Sequence, residues 1–191
     1  ATHGKASQWL RLAELVHRAV PYPVLLIQAL TREAGASPED STPKPPTQLA
    51  LSLAHKRAAQ NDALKVVLDG ELIRLEMLGH DTGAATLVGP LLEALALDRQ
   101  PHQDLMALYQ GWMDCLTAAE TARITGRFEL ATDPADAAAK RETLRTCRLL
   151  EQKAARLHKQ AAKERQIARQ ADLNLALQHL RIQLAEARAR L

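Results

Sequence analysis

Apolar positions recur at helical spacing near the start of the chain. Trp9, Leu10, Leu12, Ala13, Val16 and Val20 follow an i, i+3, i+4 pattern, with Ser7 placed to cap the helix and Pro21 and Pro23 to end it. The run Val24-Leu25-Leu26-Ile27 then predicts a buried strand. Four prolines among Ser, Gly and charges predict a mobile loop over residues 31–47. From Leu49 to His55 the leucines alternate, as in a half-buried strand, and Lys56 to Asn61 forms its exit. Lys65–Leu68, Asp69-Gly70 and Glu71–Leu78 read as a hairpin on a two-residue turn, with one longer bent strand as the alternative. Helical spacing returns from Thr86 (Val88, Leu91, Leu92, Leu95, Ala96) and again from Asp104 to Thr121, with Leu105, Leu108, Trp112, Cys115 and Leu116 inward. The expected fold class is α+β: a small antiparallel sheet of three or four strands with flanking helices over residues 1–130, then a long helix.

That last helix, 133–191, opens on an Asp133 cap and a first-turn Pro134, and meets no further Gly or Pro. Unbroken, it would be roughly 85 Å long, several times the radius of a small domain. At about 100° per residue, Cys147, Leu150, Ala154, Leu157 and Ala161 share one narrow stripe. Opposite them lie Arg141, Arg145, Arg148, Arg156, Lys159 and Lys163. A second seam, Leu173, Leu177, Leu180, Leu184, Ala187 and Leu191, falls roughly 140–180° away from the first on a straight helix. The helix therefore either bends or breaks between Glu164 and Gln170, or stays straight between two different neighbours. Leu150, Leu157, Leu173, Leu177, Leu180 and Leu184 are the candidate partner-binding positions.

Charge sharpens this picture. The net charge is only +3, but residues 1–132 carry 12 Lys/Arg against 15 Asp/Glu, and residues 133–191 carry 13 against 7. The basic character is thus concentrated in one segment, as in an interaction arm. Its bland reading is a solvated helix face; the sharper one is contact with a phosphate backbone, and an acidic protein is a third. The basic face lacks aromatics, which disfavours stacking on single-stranded bases, and the seams lack the flanking Trp or Phe of a membrane-surface helix.

Composition limits the chemistry. Hydrophobic content of 47% with aromatics at 3% favours an Ala/Leu-rich helical chain with a core. Cys115 and Cys147 have no C-x-x-C spacing, so a reduced pair in a soluble, cytoplasmic protein is expected. The chain begins without Met, close to its first helix, so an upstream segment is expected. No Gly-rich phosphate loop, catalytic constellation, metal site or cofactor site is expected. Asp69 and Glu71 stand close together, but Leu72-Ile73 follow where a restriction-type nuclease would place a lysine, so a charged turn is preferred to a metal-dependent nuclease. His55-Lys56-Arg57 is a compact cationic cluster at a strand end, making Lys56 and Arg57 further phosphate-binding candidates.

Val20-Pro21-Tyr22-Pro23-Val24-Leu25-Leu26, after a helix carrying His17, resembles the "IPYPV" segment of the bacterial family known as domain of unknown function 4391. Leu49 to Val67, with Ala54-His55-Lys56-Arg57 and Lys65-Val66-Val67, is similar to that family's next strand pair. The stretch from Lys163 to Leu180 resembles its charged C-terminal helix, with Ala168 and Asp172 replacing an Asn and a Glu of the family phrase. Family members usually carry a further N-terminal segment, which matches the upstream segment expected here, and an aromatic-rich strand end after the position of Val67, where this sequence has Glu71 to Leu78 without aromatics. The resemblance implies genes beside DNA methyltransferase and helicase genes in restriction or anti-phage islands, and it carries over no catalytic residue. The expected role is a non-enzymatic adaptor that docks a helicase or methyltransferase through its C-terminal helix and touches DNA. A homo-oligomeric coiled-coil protein is the alternative.

Overall fold

A computed structural model describes residues 2–30, 48–70, 72–78 and 82–191. The expected loop 31–47 and Glu71 lie outside the described residues. The architecture is α+β, in the order α1 (Thr2–Ala19), β1 (Leu26–Leu30), β2 (Gln48–Leu53), β3 (Lys56–Ala59), β4 (Asp62–Leu68), β5 (Ile73–Leu78), α2 (Thr82–Leu95), α3 (Leu105–Thr125), α4 (Pro134–Ala161) and α5 (Ile167–Arg188), with a 3-10 turn at Leu97–Arg99. The chain forms two compact units, Ala1–Ala119 and Glu120–Leu191, whose boundary falls within α3.

In the first unit β2 is the central strand of an antiparallel sheet of order β1-β2-β5. Leu26 stands opposite Ser52 on one side, and Arg74 opposite Ser52 on the other. Its leucines alternate as predicted, yet the strand is buried on both faces, because Ala50 and Ser52 are as enclosed as Leu51 and Leu53. Small side chains on the second face let α1 approach: His17 reaches Ser52, and the Gln28 amide donates to the Trp9 carbonyl.

Three expectations change here. The stretch from Lys56 to Asn61, expected as the exit of a strand, holds the strand β3 itself. Ser7 lies inside α1 rather than at its start, since the helix begins at Thr2. Asp69-Gly70 is not a hairpin turn. β4 pairs with β3 in a separate two-stranded sheet, β5 pairs with β2, and Gly70 (φ +87°) turns the chain from one sheet to the other. The Asp69 N–H donates to the His55 carbonyl (2.8 Å), so Asp69 continues the β3–β4 pairing past its last ladder residue.

α3 starts where expected, with Asp104 Oδ1 accepting the Ala107 N–H at 2.7 Å. Leu105, expected inward, is exposed in its first turn; Cys115 and Leu116 are buried as expected, and Tyr109 and Met113 are buried with them.

In the second unit the broken-helix alternative holds. The long helix expected over 133–191 is two helices. Asp133 caps α4 through the Ala135 and Asp136 N–H groups (2.8 and 2.9 Å), and α4 stops at Ala161. Residues 162–166 turn the chain, and α5 runs back along α4. The Gln170 amide donates to the Ala161 carbonyl near the turn, and Arg188 pairs with Glu151 (2.7 Å) farther back. The break resolves the two offset seams, which fall on the least exposed positions of two antiparallel helices. Cys147, Ala161, Leu177 and Ala187 are buried, while Leu150, Leu157, Leu173, Leu180 and Leu184 are half-buried. In the single chain these leucines are partly covered within the α4–α5 hairpin.

Candidate functional site

Two places gather polar chemistry, one in each unit. The first surrounds Val20-Pro21-Tyr22-Pro23-Val24. The two prolines lack N–H groups and bar regular pairing, so the carbonyls of the residues preceding them need other partners. Lys56 supplies them: its ammonium donates to the Val20 carbonyl (2.6 Å) and to the Tyr22 carbonyl. The Val20 N–H closes the last turn of α1 on Val16, so the ammonium also sits at the negative end of that helix. Tyr109 of α3 ties the next residue in. Its hydroxyl accepts the Ala54 N–H (3.0 Å) and lies within donating distance of the Val24 (3.0 Å) and Ala54 (3.1 Å) carbonyls.

His17 Nε2 lies 3.0 Å from Ser52 Oγ in the same region. A Ser–His contact is one element of acyl-transfer chemistry. Here both residues are closed off, at 0% and 1% exposure, and Nδ1 has no partner among the described residues to orient the ring. Burial holds the imidazole pKa below its usual value, the nearby Lys56 charge lowers it further, and the Ser52 bond opposes both. The ring is therefore a neutral, buried strut joining α1 to β2. Lys56, predicted as a phosphate ligand, instead clasps the Pro-Tyr-Pro segment, and Arg57 pairs with Asp69 at 3.3 Å. Ser52 and Tyr109 were not singled out by sequence reasoning. The available signals were small residues alternating with leucines in β2, and the rarity of tyrosine, of which the chain has two.

The second place is the helical hairpin, whose structure divides the predicted cationic stripe. In its proximal half Arg148 pairs with Glu120 at the end of α3, Arg145 pairs with Glu142 (3.8 Å), and Arg141 is half-buried. In its distal half Arg156, Lys159 and Lys163 are exposed, with no ion-pair partner among the described residues. Lys153, Arg165 and Arg169 are exposed beside them, giving six cations from Lys153 to Arg169 against one acid, Glu164. That acid has a local task. Its Oε1 accepts the Arg165 and Gln166 N–H groups (2.8 and 2.9 Å) and so fixes the turn into α5. Those two bonds and the Arg169 charge keep its carboxyl below the ordinary carboxylate range. Beside the turn lies an open cleft of about 510 Å³, lined by Gln160, Lys163, Glu164, Arg169, Asp172 and Leu173. Its charges balance, so the excess of positive charge resides on the surrounding surface.

Cys115 and Cys147 are free and buried, with thiol pKa values raised chiefly by burial. Among the described residues no group of three or more His, Cys, Asp or Glu could hold a metal ion, and no helix is long and apolar enough to cross a membrane. Fold and surface together define an α+β protein with a C-terminal helical hairpin carrying a cationic tip. The chain belongs to the family described as a domain of unknown function (DUF4391), which it matches over residues 4–184. No curated protein and no solved structure matches it.

Proposed function

We propose that this protein is a non-enzymatic accessory subunit of a bacterial restriction or anti-phage complex, holding DNA by its backbone while bound to a helicase or methyltransferase partner. The observation that carries the DNA contact is the distal hairpin surface: six exposed cations around one acid that is engaged in the turn. Lys and Arg arrayed this way neutralise phosphates without reading sequence. The protein partner is supported by the family likeness and by exposed apolar side chains between Leu92 and Met106 (Leu92, Leu97, Leu105 and Met106). The seam leucines are engaged within the hairpin, so docking shifts to that surface.

A gel-shift titration with random-sequence duplex tests the DNA contact. Arg156→Glu with Lys159→Glu should weaken binding by about tenfold or more, since each exposed cation contributes to counterion release. Arg145→Glu, at a position already paired with Glu142, should matter less. Equal affinity for all three proteins would overturn the backbone reading, and retained binding to an acidic protein alone would point to that partner class.

A further inference from the structure

The residue at the point of the hairpin is not polar. Ile167, the first residue of α5, is 84% exposed, the highest exposure of any large apolar side chain among the described residues. Single exposed apolar residues are ordinary on protein surfaces and by themselves signify nothing. Three features set this one apart. Local preference does not explain it, because a β-branched side chain gives a helix start neither a cap nor good helix propensity. Cations surround it in sequence: Lys163, Arg165 and Arg169, all exposed. Finally, the turn that presents it is fixed, with Glu164 holding the two N–H groups immediately before it.

We infer that Ile167 is a wedge that enters the DNA minor groove and unstacks a base step while Lys163, Arg165 and Arg169 grip the flanking phosphates. This inference rests on the DNA reading above and names what the tip does once the backbone is held. Architectural proteins bend duplexes by inserting an apolar side chain between base pairs, with neighbouring Arg or Lys neutralising the phosphates that the bend crowds together. An isoleucine flanked by cations on a fixed turn supplies both parts. The exposed leucines and methionine of the first unit lack this setting, because the charges of residues 1–119 sum to −3.

The test uses the full chain and a duplex carrying 2-aminopurine in place of one adenine, whose fluorescence rises when it unstacks, with end-labelled duplex reporting the bend. The wild type should raise the fluorescence and shorten the end-to-end distance. Ile167→Ala should lose most of both signals and weaken binding by about five- to tenfold, with the salt dependence unchanged because the phosphate contacts remain. Ile167→Met, another apolar wedge, should restore the signals. Since the side chain is exposed, circular dichroism should show each variant folded. Duplex bound in a salt-dependent way without fluorescence change or bend in the wild type would overturn the wedge and leave the backbone reading standing. Absence of any duplex binding would overturn both.

Discussion

At the scale of single residues, two positions show how local requirements override general preference. Gly111 lies in mid-α3, where alanine would ordinarily gain about 1 kcal/mol of helix propensity. A Cβ there would sit 2.2 Å from Gln100 Oε1 and 2.9 Å from Pro101 Cδ. Gln100 cannot yield easily, being buried and donating to the Ala94 carbonyl. Overpacking costs roughly 1–3 kcal/mol, so Gly111→Ala should destabilise on balance, read as a lower urea midpoint at unchanged slope. His17 makes a pH prediction. Its folded pKa lies below the value of about 6.5 that it takes when unfolded. As pH falls through that value the unfolded chain takes up the proton first, so stability is complete above it and declines until the folded pKa is reached. Unfolding measured from pH 7.5 to 5 should show this decline, and His17→Gln should flatten it. A parallel decline in the variant would assign the pH dependence to other groups.

Among the elements, legibility followed the range of the interaction that decides each one. The Asp133 cap, the Asp104 start of α3 and the alternation of β2 depend on neighbours in sequence, and the residues alone declare them. Strand pairing does not. Asp69-Gly70 has the composition of a hairpin turn, but β5 gains a central partner, β2, by crossing to the other sheet. The split of α4 from α5 lay between these cases. The phase change of the seams marked the place, and only packing decided between a bend and a reversal. The clasp around Pro21 and Pro23 was half legible: the motif was visible, while Lys56 and Tyr109 arrive from 34 and 85 or more residues away in sequence. The hairpin can be tested through Leu177, which is 6% exposed. Leu177→Asp should cost about 3 kcal/mol or more by removing buried apolar surface and introducing a carboxylate. If the seam is intramolecular, light scattering will give the same mass for wild type and variant. A wild-type dimer that Leu177→Asp splits would instead make it an intermolecular coiled coil.

For the whole molecule the proposed DNA contact turns on the charge layout. Residues 1–119 sum to −3 and residues 120–191 to +6, so a pI near 9.0 conceals two units of opposite sign. Long-range attraction should orient a duplex towards the hairpin, and the number of phosphates engaged can be read from salt dependence. If only the six exposed cations of the distal face of α4 and the adjoining turn contribute, about six phosphates are neutralised. Affinity should then fall about 2,000-fold between 50 and 200 mM salt. Were Arg141, Arg145 and Arg148 engaged as well, including those already bonded to Glu120 and Glu142, the fall would be about 75,000-fold. The two outcomes differ by more than tenfold, well outside the error of a binding titration. Arg148→Gln sharpens the distinction: a distal interface leaves the slope unchanged, and a full-length one reduces it by about 0.9. On the proposed DNA reading, the measurement therefore reports which half of the cationic face would meet a duplex, and whether the ion pairs near α3 stay closed or open to release their arginines.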